Sequence, residues 1–415
     1  MVVNDQTGHD ARRSRGARGA GRRGGRWAGY AVTTVLAAVV TLLPAGGPAF
    51  ADDPPGTVRG WGDNSSGQLG DGTTVNRLTP TSLPRPDGRP IDSMAAGAAH
   101  TLAVDDLFRV WAWGNNDAGA LGDGTRTRRA SPVLVAGLGN VFSVAAGAAH
   151  SLALDRDGAV WAWGSNGNGQ LGDGTTQLRT RPVRVQGLPG PALQISAGDF
   201  HSLAVLNDGS LWAWGLNNHG QLGDGTITGR SLPVRVPLPD TASRALRVDG
   251  GSAHTVAILG DVGAWTWGDN RRGQLGDGTT VERRRPVRVP VPGRSVIDVS
   301  AGTSHTLALV EGRPNVAFAW GDNTFGQLGD GTTTPRTAPV RVGLVNPTDL
   351  EAGAFHNLAI EALSVTALRT WGLNDTGQLG DGTTVNRNVP VPVNLPVRVC
   401  RMAAGARHSF CPAFL

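Results

Sequence analysis

Seven histidines recur along this chain at nearly constant spacing: His100, His150, His201, His254, His305, His356 and His408. Imidazoles placed this way could ring an axis and hold metal, but a transition metal takes about four ligands in one compact cluster. Seven equivalent positions suit a repeated scaffold role better, with each imidazole hydrogen bonding inside its own blade. Seven aspartates recur in the phrase Gly-Asp-Gly-Thr: Asp71, Asp123, Asp173, Asp224, Asp277, Asp330 and Asp381. Calcium is one chemical reading, yet Asp-Gly is also a common turn dipeptide, and each phrase alone brings too few oxygens for that ion. We therefore expect no metal and no cofactor. Catalysis would need a local departure from the repeat that gathers an acid, a base or a nucleophile. The glutamates are only Glu282, Glu311, Glu351 and Glu361, scattered rather than paired as glycosidase carboxylates would be. The extra histidine, His219, has no evident Ser or Cys partner. An enzyme is not expected.

The elements that must carry these residues are set by the period. The phrase Trp-Gly-x-Asn-x-x-Gly-x-Leu-Gly-Asp-Gly-Thr begins at Trp61, Trp113, Trp163, Trp214, Trp267, Trp320 and Trp371, with gaps of 50 to 53 residues. Such a period marks one supersecondary unit copied in space. In residues 132–174, Pro132–Val135 reads as an outer strand opened by proline, and Val141–Ala146 as a second strand. The Gly147–His150 turn leads to a third strand, Ser151–Leu154, and the turn Asp155–Gly158 to a fourth, Ala159–Trp163. Four antiparallel strands per repeat make a propeller blade, and the small Ala-Ala-Gly stretches suit the strand beside the channel. The fold class is all-β: a seven-bladed β-propeller of about 52-residue, four-stranded repeats. Thr57–Gly62 is a strand lacking its predecessor, and His408–Pro412 is one lacking its successor. Pairing them closes the ring and removes both exposed edges.

Residues 1–51 read as a secretory signal: seven arginines within 11–26, an apolar run from Ala28 to Leu43, then Ala49-Phe50-Ala51 as a cleavage site. The arginine pairs leave the export route open. The propeller then spans 52–415. The whole chain has 38 basic and 33 acidic residues, but 1–51 holds seven arginines against Asp5 and Asp10, so the remainder carries 31 of each. A nucleic-acid partner is not expected, because phosphate binding needs basic charge on the folded surface. Nor is a membrane partner expected once the signal is cleaved. In an exported chain the only cysteines, Cys400 and Cys411, are expected to form a disulfide across the closing blade, with free thiols as the alternative.

Ala-Gly-x-x-His-Ser/Thr-Leu-Ala-Leu followed by Trp-Gly-x-Asn-x-x-Gly-Gln-Leu-Gly-Asp-Gly-Thr resembles the regulator of chromosome condensation repeat, over about residues 57–413. The resemblance implies a seven-bladed propeller, here a secreted bacterial one. The founding eukaryotic member is a nuclear protein that binds chromatin and promotes nucleotide exchange on the Ran GTPase through a β-wedge projecting from one blade. Trp-Gly spacings that never exceed 53 leave no room for that insertion, so guanine nucleotide exchange is not carried over. A secreted β-lactamase inhibitory protein of similar propeller form is a nearer analogy, although its repeats lack the Leu-Gly-Asp-Gly phrase.

Propellers host many functions, so function must be argued from a site. The Gly-x-x-His turn and the Trp-Gly-x-Asn-x-x segment fall at the same end of each blade, and their variable positions are free to contact a partner. Those positions hold Asp199, Phe200, His219, Asp269, Arg271, Arg272, Asp322, Phe325, Phe355, Leu373, Asp375 and Arg407. Aromatic and arginine anchors are typical of protein interfaces. We take Asp199, Phe200, His219, Arg271, Arg272, Phe325, Phe355 and Arg407 as the binding residues. The reading is a secreted, monomeric, non-enzymatic scaffold that binds an extracellular or cell-envelope protein. The alternatives are a cell-envelope glycan binder, an inhibitor of a secreted enzyme and, last, a guanine nucleotide exchange factor as in the eukaryotic members.

Overall fold

A computed structural model describes residues 57–293, 295–362, 367–395 and 401–412. The signal segment expected at 1–51 lies outside them, as does Cys400. The described chain forms seven four-stranded antiparallel sheets. After β1 (Val58–Gly62) and β2 (Arg77–Leu83), the first complete blade is β3 (Ile91–Ala96), β4 (His100–Asp105), β5 (Val110–Gly114) and β6 (Arg129–Leu134). Blades two to six repeat this order over 141–184, 192–235, 245–288, 296–341 and 347–392. Strands His408–Pro412 and Ala403–Ala404 join β2 and β1 in blade seven. There Val58 pairs with Pro412 and Gly62 with His408, which closes the ring as expected. Two strands come from each end of the described chain.

Within a blade the chain runs from inside to outside. The first strands lie against one another around the axis, and with their Gly-x-x turns they line a central cavity of about 330 Å³. The Pro132 strand therefore belongs to the blade preceding Val141–Ala146, and it starts earlier, at Arg129. Pro132 is tolerated because the β5–β6 register slips between Ala112 and Gly114, where no ladder donor is needed. The slip follows the Trp-Gly glycine, whose φ lies between 96° and 106° in all seven copies, a conformation that side chains resist.

Blade-to-blade adhesion is apolar first. The tryptophan of each Trp-Gly and the leucine of each Leu-Gly-Asp-Gly are buried, as is, apart from half-buried Ile360, the Leu/Val-Ala-Leu/Val/Ile core of the second strand in blades one to six. Set into this packing is a polar ring. Each imidazole reaches the residue after the histidine of the next blade: His100 Nε2 to Ser151 Oγ at 3.0 Å, His150 to Ser202 at 3.0 Å, and so on to His408 and Thr101 at 3.3 Å. The histidine thus clamps two blades together and does not cap its own blade, correcting the expectation. The hydroxyl it meets donates to a loop carbonyl, as Ser202 Oγ does to Gln170 O at 2.8 Å, so it must accept from imidazole Nε2–H. Asn357 fills the same role once, accepting from His305 with Oδ1 at 2.7 Å and donating from Nδ2 to Gln327 O at 2.8 Å. That carbonyl also accepts the indole N–H of the next blade's tryptophan, as Gln170 O does from Trp214 at 2.9 Å. Burial holds these imidazoles neutral, pushing His150, His254, His356 and His408 down to about 3 and His100 and His201 to about 4.

Candidate functional site

The loop after each Trp-Gly is held by its own repeated residues. In blade two, Asn166 accepts Leu171 N–H at 3.0 Å and donates to Asp173 Oδ1 at 3.1 Å. Asp173 Oδ1 also accepts from Thr175 N and Oγ1, and Oδ2 takes Arg179 Nε at 2.9 Å. The same aspartate–arginine pair occurs in every blade, ending with Asp381 and Arg387. Each Gly-Asp-Gly-Thr carboxylate is thereby engaged by Thr, Asn and Arg. The arginine six residues on is a member of this frame that the sequence reading did not single out.

Backbone bonds then fix the Gly-x-x-His turn beside this loop, as in Leu216 N to Phe200 O at 2.9 Å and Leu373 N to Phe355 O at 2.9 Å. All eight expected binding residues consequently stand at one end of the propeller. They form separate groups rather than one patch. Phe325 of blade five meets Phe355 of blade six edge to face, centroids 5.5 Å apart, and both rings are half-buried. They are a shared contact rather than two free anchors. Phe200 in blade three is 39% exposed and joins no ring pair among the described residues. Arg407 of blade seven pairs with Asp375 of blade six at 2.8 Å. Arg272 is exposed, its backbone N–H bound to Gln274 Oε1 at 2.9 Å. Asp199 lies at the cavity mouth, where burial raises its carboxyl against a hydrogen bond from Ser252.

His219 acquires the partner that local sequence did not supply. Its Nδ1 lies 2.6 Å from Glu282 Oε1, and Asp269 stands beside them, paired with Arg271 through both oxygens at 2.9 Å. Asp269 stays below the usual carboxylate range: burial raises it, but the Arg271 side-chain and backbone hydrogen bonds outweigh that.

The cavity carries a second departure from the repeat. Where blades one and two have Ala95 and Ala145, blades three to six have Ser196, Asp249, Ser300 and Glu351. Asp249 accepts Ser196 Oγ at 2.8 Å and Ala301 N–H at 2.8 Å, tying three inner strands together. Arg247 pairs with Asp298 at 3.0 Å. Burial pushes Asp298 up to about 7, against the pull of Arg247, and the facing Asp349 adds to the rise. Glu351 is raised well above its ordinary value by burial and then by Asp249, Asp349 and Asp298. Of these residues the sequence reading named only Glu351, as one of the scattered glutamates. The signal for the others was loss of the small residues preceding Gly-x-x-His. Cys411, buried on the closing strand, is disulfide-bonded; the expected pairing with Cys400 falls on a residue outside the described ones.

A ring of seven four-stranded blades clamped by histidine and tryptophan, with variable loops at one end, defines a repeat propeller with a scaffold's anatomy. The profile of the regulator of chromosome condensation (RCC1) repeat matches seven times, over residues 55–104, 109–154, 157–205, 208–258, 263–309, 316–360 and 369–411, and the chain belongs to that family. It is 35% identical to the ultraviolet-B receptor UVR8 of Arabidopsis thaliana, across 80% of this chain and 76% of the receptor. It is 31% identical to the human E3 ubiquitin-protein ligase HERC2 across 81% of this chain, but spans only 6% of that protein. Human WBSCR16 superposes with a TM-score of 0.76 at 25% identity, covering 86% of this chain and 98% of that one. Yeast RCC1 (Prp20), from its complex with Kap60, gives 0.77 at 23% identity, covering 87% and 89%.

Proposed function

We propose that the chain is a non-enzymatic scaffold that binds a partner protein through the end bearing the Gly-x-x-His turns, and that it works outside the cytoplasm. One observation carries the reading: identical hydrogen-bond frames present non-repeated residues, among them Phe200, Arg271, Arg272 and Arg407, at one end of a rigid ring. Loops held by a stiff scaffold lose little conformational entropy on binding. The likeness to a receptor of comparable length supports a recognition role, and the arginine-rich, apolar start of the sequence supports export. Guanine nucleotide exchange is no part of this proposal.

The test is capture of the partner from culture medium and cell surface, followed by a binding constant for the purified pair. The triple substitution Phe200→Ala, Phe325→Ala, Phe355→Ala is expected to weaken binding about tenfold or more. An unchanged constant would remove this end as the docking face. Sequencing the N-terminus of the protein in the medium tests export: a chain beginning at Asp52 supports it, and a chain kept inside the cell retaining residue 1 overturns it.

A further inference from the structure

His219 and Glu282 are not needed by the repeat, whereas Asp269 caps its loop as Asp63 and Asp322 do in theirs. At the position of His219 the other blades carry Ser66, Ala118, Asn168, Arg272, Phe325 and Thr376. At the position of Glu282 they carry Asn76, Arg128, Leu178, Gly229, Pro335 and Asn386. The propeller lays the loop of blade three against that of blade four, so residues 63 apart come within 2.6 Å. One ligand atom from each of the three lies within 4.8 Å of the others, and no other His/Cys/Asp/Glu trio does so among the described residues.

We propose that His219, Asp269 and Glu282 form a binding site for a zinc-class divalent cation at the junction of blades three and four. One imidazole nitrogen with two carboxylate oxygens is a borderline donor set, the kind that zinc accepts with water completing the shell. Zinc at its usual bond lengths holds tetrahedral ligand atoms roughly 3.3 Å apart. The His219 and Glu282 atoms need only open from their present hydrogen bond to admit it. Asp269 is the fixed member, its side chain 9% exposed and held by the backbone N–H of Arg271. His219 and Glu282 side chains are 20% and 37% exposed, so water can reach the remaining positions. Among the described residues the other histidines are buried, with Nε2 committed to the next blade, which leaves His219 as the accessible imidazole. Arg271 competes for Asp269, but its guanidinium is 65% exposed, and an ion pair of that kind is weak enough to yield to a dication.

The experiment is calorimetric titration of the untagged full-length chain with zinc chloride at neutral pH. One zinc per chain is expected. His219→Gln and Glu282→Gln should each weaken it about tenfold or more. Arg271→Ala removes the guanidinium from both Asp269 oxygens, leaving Oδ1 its backbone N–H bond, and should tighten binding. If a ligand variant melts early without zinc, the comparison passes to the zinc-dependent rise in melting temperature of R271A against wild type, which should be the larger in R271A. Absence of saturable binding in wild type, equal binding by well-folded H219Q and E282Q, or weaker binding or a smaller melting rise in R271A overturns the site.

Discussion

Replacing His150 by glutamine should make the chain less stable at pH 7 and progressively less disadvantaged toward pH 5. His150 is fully buried, and its Nε2 donates to Ser202 Oγ at 3.0 Å across the blade junction. Burial above all, helped by His100 and His201, depresses its pKa to about 3. An unfolded histidine titrates near 6.5. The folded value is the lower one, so the unfolded chain binds the proton first. The stabilisation is therefore complete above about pH 6.5 and drains away as pH falls from there toward 3. Between pH 7 and pH 5 one such histidine loses about 2 kcal/mol. At pH 7 the glutamine variant should be destabilised by about 1–3 kcal/mol, through a weakened buried hydrogen bond and imperfect packing. At pH 5 that deficit should have shrunk by about 2 kcal/mol, bringing the two curves together or across one another. Urea unfolding of both chains at pH 7, 6 and 5 measures this directly. The comparison is differential for a reason: Asp298, Asp349 and Glu351 have raised pKa values and respond to acid with the opposite sign, and they cancel between the two chains. A deficit that stays constant from pH 7 to pH 5 would refute a buried, neutral His150 and the clamp built on it.

Gly147→Ala should lower the melting temperature sharply, because its Cβ would sit 2.6 Å from the Gly198 carbonyl oxygen and closer still to the His150 ring. The expected loss is about 1–3 kcal/mol by chemical denaturation, and no loss would mean the turn is looser than described. Asp173→Asn keeps the acceptor for Thr175 but breaks the pair with Arg179, and should cost about 1–3 kcal/mol at pH 7. The Asp173 pKa is lowered, because its bonds to Thr175 and Arg179 outweigh burial. Its contribution is thus present above about pH 4 and fades below it, so wild type and variant should converge only in strong acid.

The fold was legible because every repeat states the same pattern. Gly147–His150 and Trp163-Gly164 each recur seven times and the Leu152-Ala153-Leu154 core six times, so a misreading in one copy is corrected by the others. Where the reading failed, it failed at the joins. The polar residue after each histidine was visible, yet nothing local says whether His150 meets Ser151 beside it or Ser202 a repeat later. Geometry chooses the latter, since side chains of neighbouring strand residues point to opposite faces. The Pro132 strand went to the wrong blade for the same reason: a repeat has a period but no marked beginning. The candidate site was visible only as a scatter of non-repeated residues. Apart from Arg271 with Asp269, its groupings are contacts from one blade to the next: Phe325 with Phe355, Asp375 with Arg407, His219 with Glu282. In a ring each loop lies on its successor, so a departure at one loop acquires chemical meaning only against a departure one repeat further on. The useful comparison in such a chain pairs the variable positions of one loop with the variable positions of the next turn and loop. Read that way, His219 and Glu282 stand out as an imidazole and a carboxylate where the other blades place neither.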